Sequence, residues 1–131
     1  MNLIMWNCQG LGGPSTIKNL ESLIWVHRPS LVFISETKCS SYRISCLHYR
    51  LNMHGVGVDS RGRSGGLALF WDKSVSCVLR SFSLHHIDVI VQADDDSSPW
   101  RFTGFYGEPN TSKRKSSWEL LTSFAAQSPC A

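Results

Sequence analysis

The sequence predicts a mixed α/β fold, two sheets packed together with helices outside, and two observations carry that prediction. The first third reads as a strand–helix–strand unit, and everything after Cys46 reads as short strands separated by turn residues. A crossover start followed by hairpins is the pattern of layered sheets with helices on their faces. The 131 residues, 42% hydrophobic and 11% aromatic, can build a packed core for one domain or for part of a larger one.

Residues 2–6 form a short, largely buried strand. A turn runs from Gly10 to Pro14, and Ser15 is placed as the N-cap of a helix. Ile17, Leu20, Leu23, Ile24 and His27 recur at helical spacing, so one face of that helix packs on a sheet. Arg28 precedes Pro29, which pushes it out of helical angles and ends the helix. The apolar run 31–35 ("LVFIS") has the length and composition of a strand buried on both faces, parallel to the first and beside it. Further strands are expected at 52–58, 66–71, 74–82, 86–92 and 101–107, with hairpin loops at 59–65 and 93–99. A last helix is expected at 116–127, with Trp118, Leu121 and Phe124 on one side.

Composition excludes several classes of protein. Cys8, Cys39, Cys46, Cys77 and Cys130 are odd in number and far apart, with neither a CxxC pair nor zinc spacing. Free thiols without disulfide partners, in a reducing compartment, are the expectation. The opening apolar run lacks the basic flank and length of a signal peptide, and no stretch approaches the ~20 apolar residues that cross a bilayer. A soluble intracellular protein away from membranes is therefore expected. The net charge of +3 permits a polyanionic partner without demanding one.

Three strand ends carry the candidate chemistry. Glu36 follows the buried strand 31–35, at the kind of sheet edge where ligands collect in α/β folds. A hard cation such as Mg²⁺ takes one or two carboxylates and keeps its waters, so a single Glu suffices; an ordinary surface Glu opening a loop would look the same. Asn7 ends the neighbouring strand and emerges at the same edge, where an amide orients a phosphate oxygen or serves local backbone groups. Tyr106 closes the strand in "FTGFYGEPN", where a phenol can donate to a phosphate or simply sit at a wet boundary. Asn110, Lys113, Arg114 and Lys115 follow in a basic loop, and Arg61 and Arg63 occupy another; such loops bind phosphate backbones or are merely solvated.

Other motifs do not hold. "GLGG" (10–13) lacks the Gly-Lys-Ser/Thr of a phosphate-cradling loop. His85 and His86 lie beside Asp88 without a third ligand at metal-site spacing, and Asp94, Asp95 and Asp96 lack calcium-loop spacing. No Ser or Cys nucleophile has a matched His and acid.

"WNCQGLG", "IKNLESLIWVHRPSLVFISETK", "RSGGLALFW" and "TGFYGEPN", in that order, resemble the endonuclease/exonuclease/phosphatase superfamily, which includes DNase I and the apurinic/apyrimidinic endonucleases. The resemblance is greatest to the N-terminal endonuclease domain of plant LINE-type (non-LTR) retrotransposon polyproteins, and it runs from Met1 to about Leu121. It implies a partial, truncated DNase I-like four-layer αββα sandwich, with residues 1–131 its N-terminal portion. It implies a Mg²⁺- (or Mn²⁺-) dependent DNA endonuclease or phosphodiesterase, associated with a reverse transcriptase and working inside the cell, the nucleus included. By position, Glu36 matches the metal-coordinating glutamate, Asn7 the asparagine of the metal and phosphate site, and Tyr106 the strand-end aromatic that contacts the scissile phosphate. Asn110 and Arg114 lie near positions that touch DNA. Gln9 stands where some relatives have an aspartate, a mild departure.

The larger departure is that the superfamily's Gly-Asp-x-Asn and Ser-Asp-His motifs do not occur in these 131 residues. The expectation is a fragment with little or no cleavage of its own, one of its two sheets largely missing and an apolar sheet face left exposed. The alternatives are another branch, a phosphatase or exonuclease, and a non-catalytic remnant that binds nucleic acid through Arg61, Arg63, Lys113, Arg114 and Lys115.

Overall fold

A computed structural model describes residues 2–62, 64–93 and 98–107. The elements run β1 (Leu3–Asn7), α1 (Pro14–His27), β2 (Leu31–Ser35), α2 (Ser41–Leu51), β3 (His54–Val58), β4 (Leu67–Trp71), β5 (Ser76–Phe82), β6 (His86–Gln92) and β7 (Trp100–Phe105). The helix expected at 116–127 lies outside the described residues.

Four strands form one sheet in the order β1-β2-β4-β3, and β5-β6-β7 form a second. β1 and β2 are parallel neighbours, as the strand–helix–strand start predicts, with Asn7 opposite Ser35. All other pairings are antiparallel. The period-2 alternation of side chains sorts each strand of the first sheet onto two cores. Val32, Ile34, Ala68 and Phe70 face Ile17 and Leu20 of α1 and Ile44, Leu47 and Leu51 of α2. Leu31, Phe33, Leu67 and Leu69 face Ile87, Val89, Val91 and Phe102 of the second sheet. Covered on both sides, β2 is buried along its whole length.

One expectation is corrected here. The second sheet is not absent: residues 3–105 contribute four strands to one sheet and three to the other, and apolar side chains pack between them. Close approach explains two glycines. A Cβ at Gly104 would collide with the Phe33 ring, and one at Gly57 with Ile44. Among the described residues, the exposed apolar side chains on this face of the first sheet are Leu3 (43%) and Met5 (59%) of β1, beside the buried Leu31 and Phe33, and those on the second sheet include Leu79 and Phe82 of β5, opposite Val89 and Ile87.

Two local assignments also shift. α1 starts at Pro14 with Gly13 as its N-cap, two residues earlier than Ser15 would give, because proline's fixed φ suits the first helical position. It ends where expected: Arg28 adopts a left-handed conformation (φ 47°) and its N–H returns to the Ile24 carbonyl. α2 was not foreseen, and its C-cap at Asn52 shortens the strand expected at 52–58, so β3 starts at His54. Among the described residues no helix is long and apolar enough to cross a membrane. Cys8, Cys39, Cys46 and Cys77 carry free thiols.

Candidate functional site

Three chain segments are tied together beyond the ends of β1 and β2. Cys8 N–H donates to the Ser35 carbonyl (3.2 Å), Gly10 N–H to Glu36 (2.8 Å) and Leu11 N–H to Thr37 (2.8 Å). On the other side Thr37 N–H donates to Gly66 (3.1 Å) and Lys38 N–H to Gly65 (2.9 Å). The parallel pairing of β1 and β2 thus continues past the strands, and the chain leading into β4 closes the knot. Positive φ angles concentrate here: Gln9 (52°), Glu36 (53°) and Lys38 (55°), with Gly10, Gly65 and Gly66. Left-handed geometry at residues with a Cβ costs of order 1–2 kcal/mol and persists only where surrounding bonds hold it. The backbone is therefore bent deliberately around Glu36.

Glu36 is half-buried, and the Tyr106 hydroxyl donates to its Oε1 at 2.5 Å. Tyr106 lies just past β7, one residue beyond the strand's end at Phe105, and its N–H donates to the His85 carbonyl (2.7 Å). This contact joins an edge of the first sheet to an edge of the second across 70 positions of sequence. Asn7 is exposed at the end of β1, one register step from Glu36. The structure therefore brings Glu36 and Tyr106 into direct contact and places Asn7 at the same edge.

The residues next to these are structural. Thr37 is fully buried and its hydroxyl accepts from Cys39 N–H (3.3 Å). Burial pushes the Cys8 thiol above its ordinary pKa, and its Sγ donates to the Glu36 carbonyl (3.6 Å), so Cys8 is a poor nucleophile at neutral pH. Sequence reasoning passed over Thr37 and the Gly65-Gly66 pair, although a double glycine before a buried strand is a signal for close backbone approach.

Arg61 is exposed in a tight turn closed by two backbone bonds with Ser64 (2.9 and 3.0 Å). That turn hangs from the same knot, because Ser60 N–H donates to the Cys39 carbonyl (3.0 Å). Arg63, Asn110, Lys113, Arg114 and Lys115 lie outside the described residues.

The oxygen donors here, one carboxylate and one carboxamide, suit a hard cation such as Mg²⁺ that keeps most of its waters. They do not suit zinc, and no group of three or more His, Cys, Asp or Glu side chains gathers among the described residues. The fit to Mg²⁺ is that of a partial site.

A second polar cluster lies on the β6 strand. Arg101 donates to both carboxylate oxygens of Asp88 (2.7 and 2.6 Å), and Thr103 adds a third bond (3.1 Å). His86 is buried between the hydroxyls of Ser81 (3.0 Å) and Ser83 (2.6 Å). This explains the His-His-Asp stretch as a hydrogen-bonded network and not as a metal site.

No family model matches the chain, and no curated protein matches it. Solved structures do. The 3′ phosphatase NExo from Neisseria, bound to a product DNA hairpin, superposes with a TM-score of 0.71 at 16% identity, over 95% of this chain and 51% of its own. An AP endonuclease from Archaeoglobus fulgidus gives 0.64 at 16% identity, over 93% and 49%. The AP endonuclease LMAP from Leishmania major gives 0.62 at 17% identity, over 81% and 40%. These structures are AP endonucleases, phosphatases and exonucleases of the DNase I-like superfamily. At such identities the likeness establishes the fold, a partial DNase I-like αββα sandwich. The chain spans about half the length of the structures it matches.

Proposed function

We propose that this chain is the N-terminal portion of a Mg²⁺-dependent (or Mn²⁺-dependent) DNA endonuclease of the retroelement type, with little or no cleavage of its own. The observation that carries the proposal is the hydrogen bond from Tyr106 to Glu36, set in a backbone knot at the strand ends where Asn7 also emerges. In this reading Glu36 and Asn7 hold the metal and Tyr106 orients Glu36 and meets the scissile phosphate. The bound ion would offset the charge that develops on the phosphate oxygens. Arg61, Arg63, Lys113 and Arg114 contact the DNA backbone through charge, and Asn110 through its amide. The groups that orient and deprotonate water belong to motifs this sequence does not contain, and acid–base groups contribute ~10²–10⁴-fold.

The test is nicking of supercoiled plasmid with Mg²⁺. This chain alone is expected to leave the plasmid supercoiled. A chain extended through downstream Gly-Asp-x-Asn and Ser-Asp-His segments should relax it, and Glu36→Ala in that longer chain should abolish relaxation. Relaxation that survives Glu36→Ala would overturn the assignment. Absence of cleavage from the extended chain, with salt-sensitive DNA binding, would instead favour a non-catalytic remnant. A second reading, a 3′ phosphatase or exonuclease, is favoured by the NExo superposition. Release of phosphate or nucleotides from a 3′-labelled oligonucleotide, without plasmid nicking, would select it.

A further inference from the structure

The helical layer carries a surface with no role in the site above. On α2, Tyr42, Cys46 and Tyr49 recur at spacings of four and three, one outward stripe, and Tyr42 (78%) and Tyr49 (81%) are exposed. On α1, Trp25 is 70% exposed, and the Arg28 guanidinium lies 4.2 Å from its ring centre. The two helices are clasped side by side: Arg50 pairs with Glu21 at 2.8 Å, and Arg43 donates to the Gly12 carbonyl at 2.9 Å. Between their C-terminal ends lies a cleft of about 300 Å³, walled by Trp25, Ile24 and Leu51, with Asn52, Arg28 and Asp72 as polar groups.

Charge on this layer is predominantly positive, although the Asp59 carboxylate accepts from Ser41 N–H at the start of α2. Lys18, Arg28, Arg43 and Arg50 face a single carboxylate on the two helices, Glu21, which Arg50 already neutralises. Asp72 sits at the cleft's rim, its carboxylate occupied by the N–H and hydroxyl of Ser74. Exposed rings interleaved with cations form a stacking platform beside phosphate-binding charge. A duplex hides the faces of its bases and could use only the charge. An unpaired strand can use both.

We propose that the α1–α2 surface is a binding site for single-stranded nucleic acid, running from the Trp25 cleft, at the end of the first sheet away from Glu36, along α2 to Tyr42 and Arg43. One base stacks on Trp25 at the cleft, flanking bases reach Tyr49 and Tyr42, and Lys18, Arg28 and Arg43 accompany the backbone. The site does not rest on the endonuclease reading, because it uses none of Glu36, Asn7 and Tyr106.

The test is fluorescence anisotropy with the full chain and end-labelled 12-mers of oligo-dT and oligo-rU, with duplex DNA alongside, over a salt series. Saturable binding to the single strands is expected, with a log–log salt slope of about −2 if Lys18, Arg28 and Arg43 neutralise three phosphates. Trp25→Ala should weaken it about tenfold, within the range of one lost stacking contact, and Trp25→Phe should largely restore it. Lys18→Gln should make the slope shallower by about 0.7. A preference for oligo-rU would name RNA as the ligand, a preference for oligo-dT DNA, and equal affinity a site blind to the 2′-hydroxyl. Trp25 and Lys18 are surface residues, and circular dichroism checks that the variants fold. The proposal is overturned if neither oligonucleotide binds at low salt, if Trp25→Ala binds like the parent, or if Arg61→Ala alone abolishes binding.

Discussion

Tyr106 and Glu36 meet because two edges of two sheets meet, and the contact has a measurable energy. A hydrogen bond to a charged, half-buried acceptor contributes about 1.5–3 kcal/mol. Tyr106→Phe keeps the ring and removes the donor, so the unfolding free energy should fall by that amount, read as a lower urea midpoint with the m-value unchanged. An unchanged midpoint would mean that the hydroxyl serves only ligand binding. The Asp88–Arg101 pair is the more demanding case, because both side chains are almost fully buried. Asp88→Ala strands the guanidinium and should cost about 3–5 kcal/mol, a large part of a small domain's stability.

The same cluster sets a pH response at residue scale. Burial acts to raise the Asp88 pKa, but the bonds from Arg101 and Thr103 and the nearby Arg101 and Arg80 charges outweigh it and hold the carboxyl below its ordinary 3.8. Burial lowers the His86 pKa below 6.5, reinforced by His85 and Arg101 and opposed by Asp88. Both folded-state values are depressed, so both groups contribute stability that is present above their unfolded pKa and lost as pH falls through the folded one. The melting temperature should therefore decline below about pH 6.5 and decline again below about pH 3.8. His86→Gln should flatten the upper step and leave the lower one. Thermal melts from pH 8 to pH 3 separate the two.

At the scale of elements, α2 depends on its ends. Ser40 accepts from Arg43 N–H at the N-cap (3.2 Å), and Asn52 turns left-handed (φ 56°) at the C-cap. Ser40→Ala should cost about 1 kcal/mol, read as a fall in denaturation midpoint. β7 depends on a missing side chain: Gly104→Ala drives a methyl into Phe33 and should cost about 1–3 kcal/mol. Much of this layer was legible in the residues. The apolar runs 31–35 and 86–92 became β2 and β6 at the expected bounds, because strands buried along their length have unmistakable composition. The edges of β4, β5 and β7 moved by one or two residues; at β5 this is because Asp72 and Ser74 make a turn where strand was expected. α2 escaped notice because only Ile44, Leu47 and Leu51 of its eleven residues are buried, and polar residues dilute the helical period. Ser40 and Asn52, a cap at either end, were the signals that could have found it. The Glu36–Tyr106 contact was legible only as two strand ends, since nothing in a sequence says which edges of two different sheets will meet.

For the whole molecule, the decisive feature is how the second sheet covers the first. β7 lies over β2, where Phe33 and Phe102 pack edge to face with centroids 6.1 Å apart. Leu31 and Phe33 are sealed as a result, but the cover does not extend to β1, so Leu3 and Met5 remain open on the same face. β1 pairs with β2 alone among the described residues, so apolar exposure and an unpaired strand edge coincide. That combination invites edge-to-edge association. Lysine at such a position blocks strand addition without touching the sealed core. Met5→Lys, alone or with Leu3→Lys, should therefore raise the concentration at which the chain stays monodisperse in sedimentation velocity. Its melting temperature should change little, because neither side chain is buried in the fold it leaves behind. A melting temperature that drops by many degrees would instead show that β1 is covered in solution. The open side of the sandwich would then be an interior surface of the folded protein.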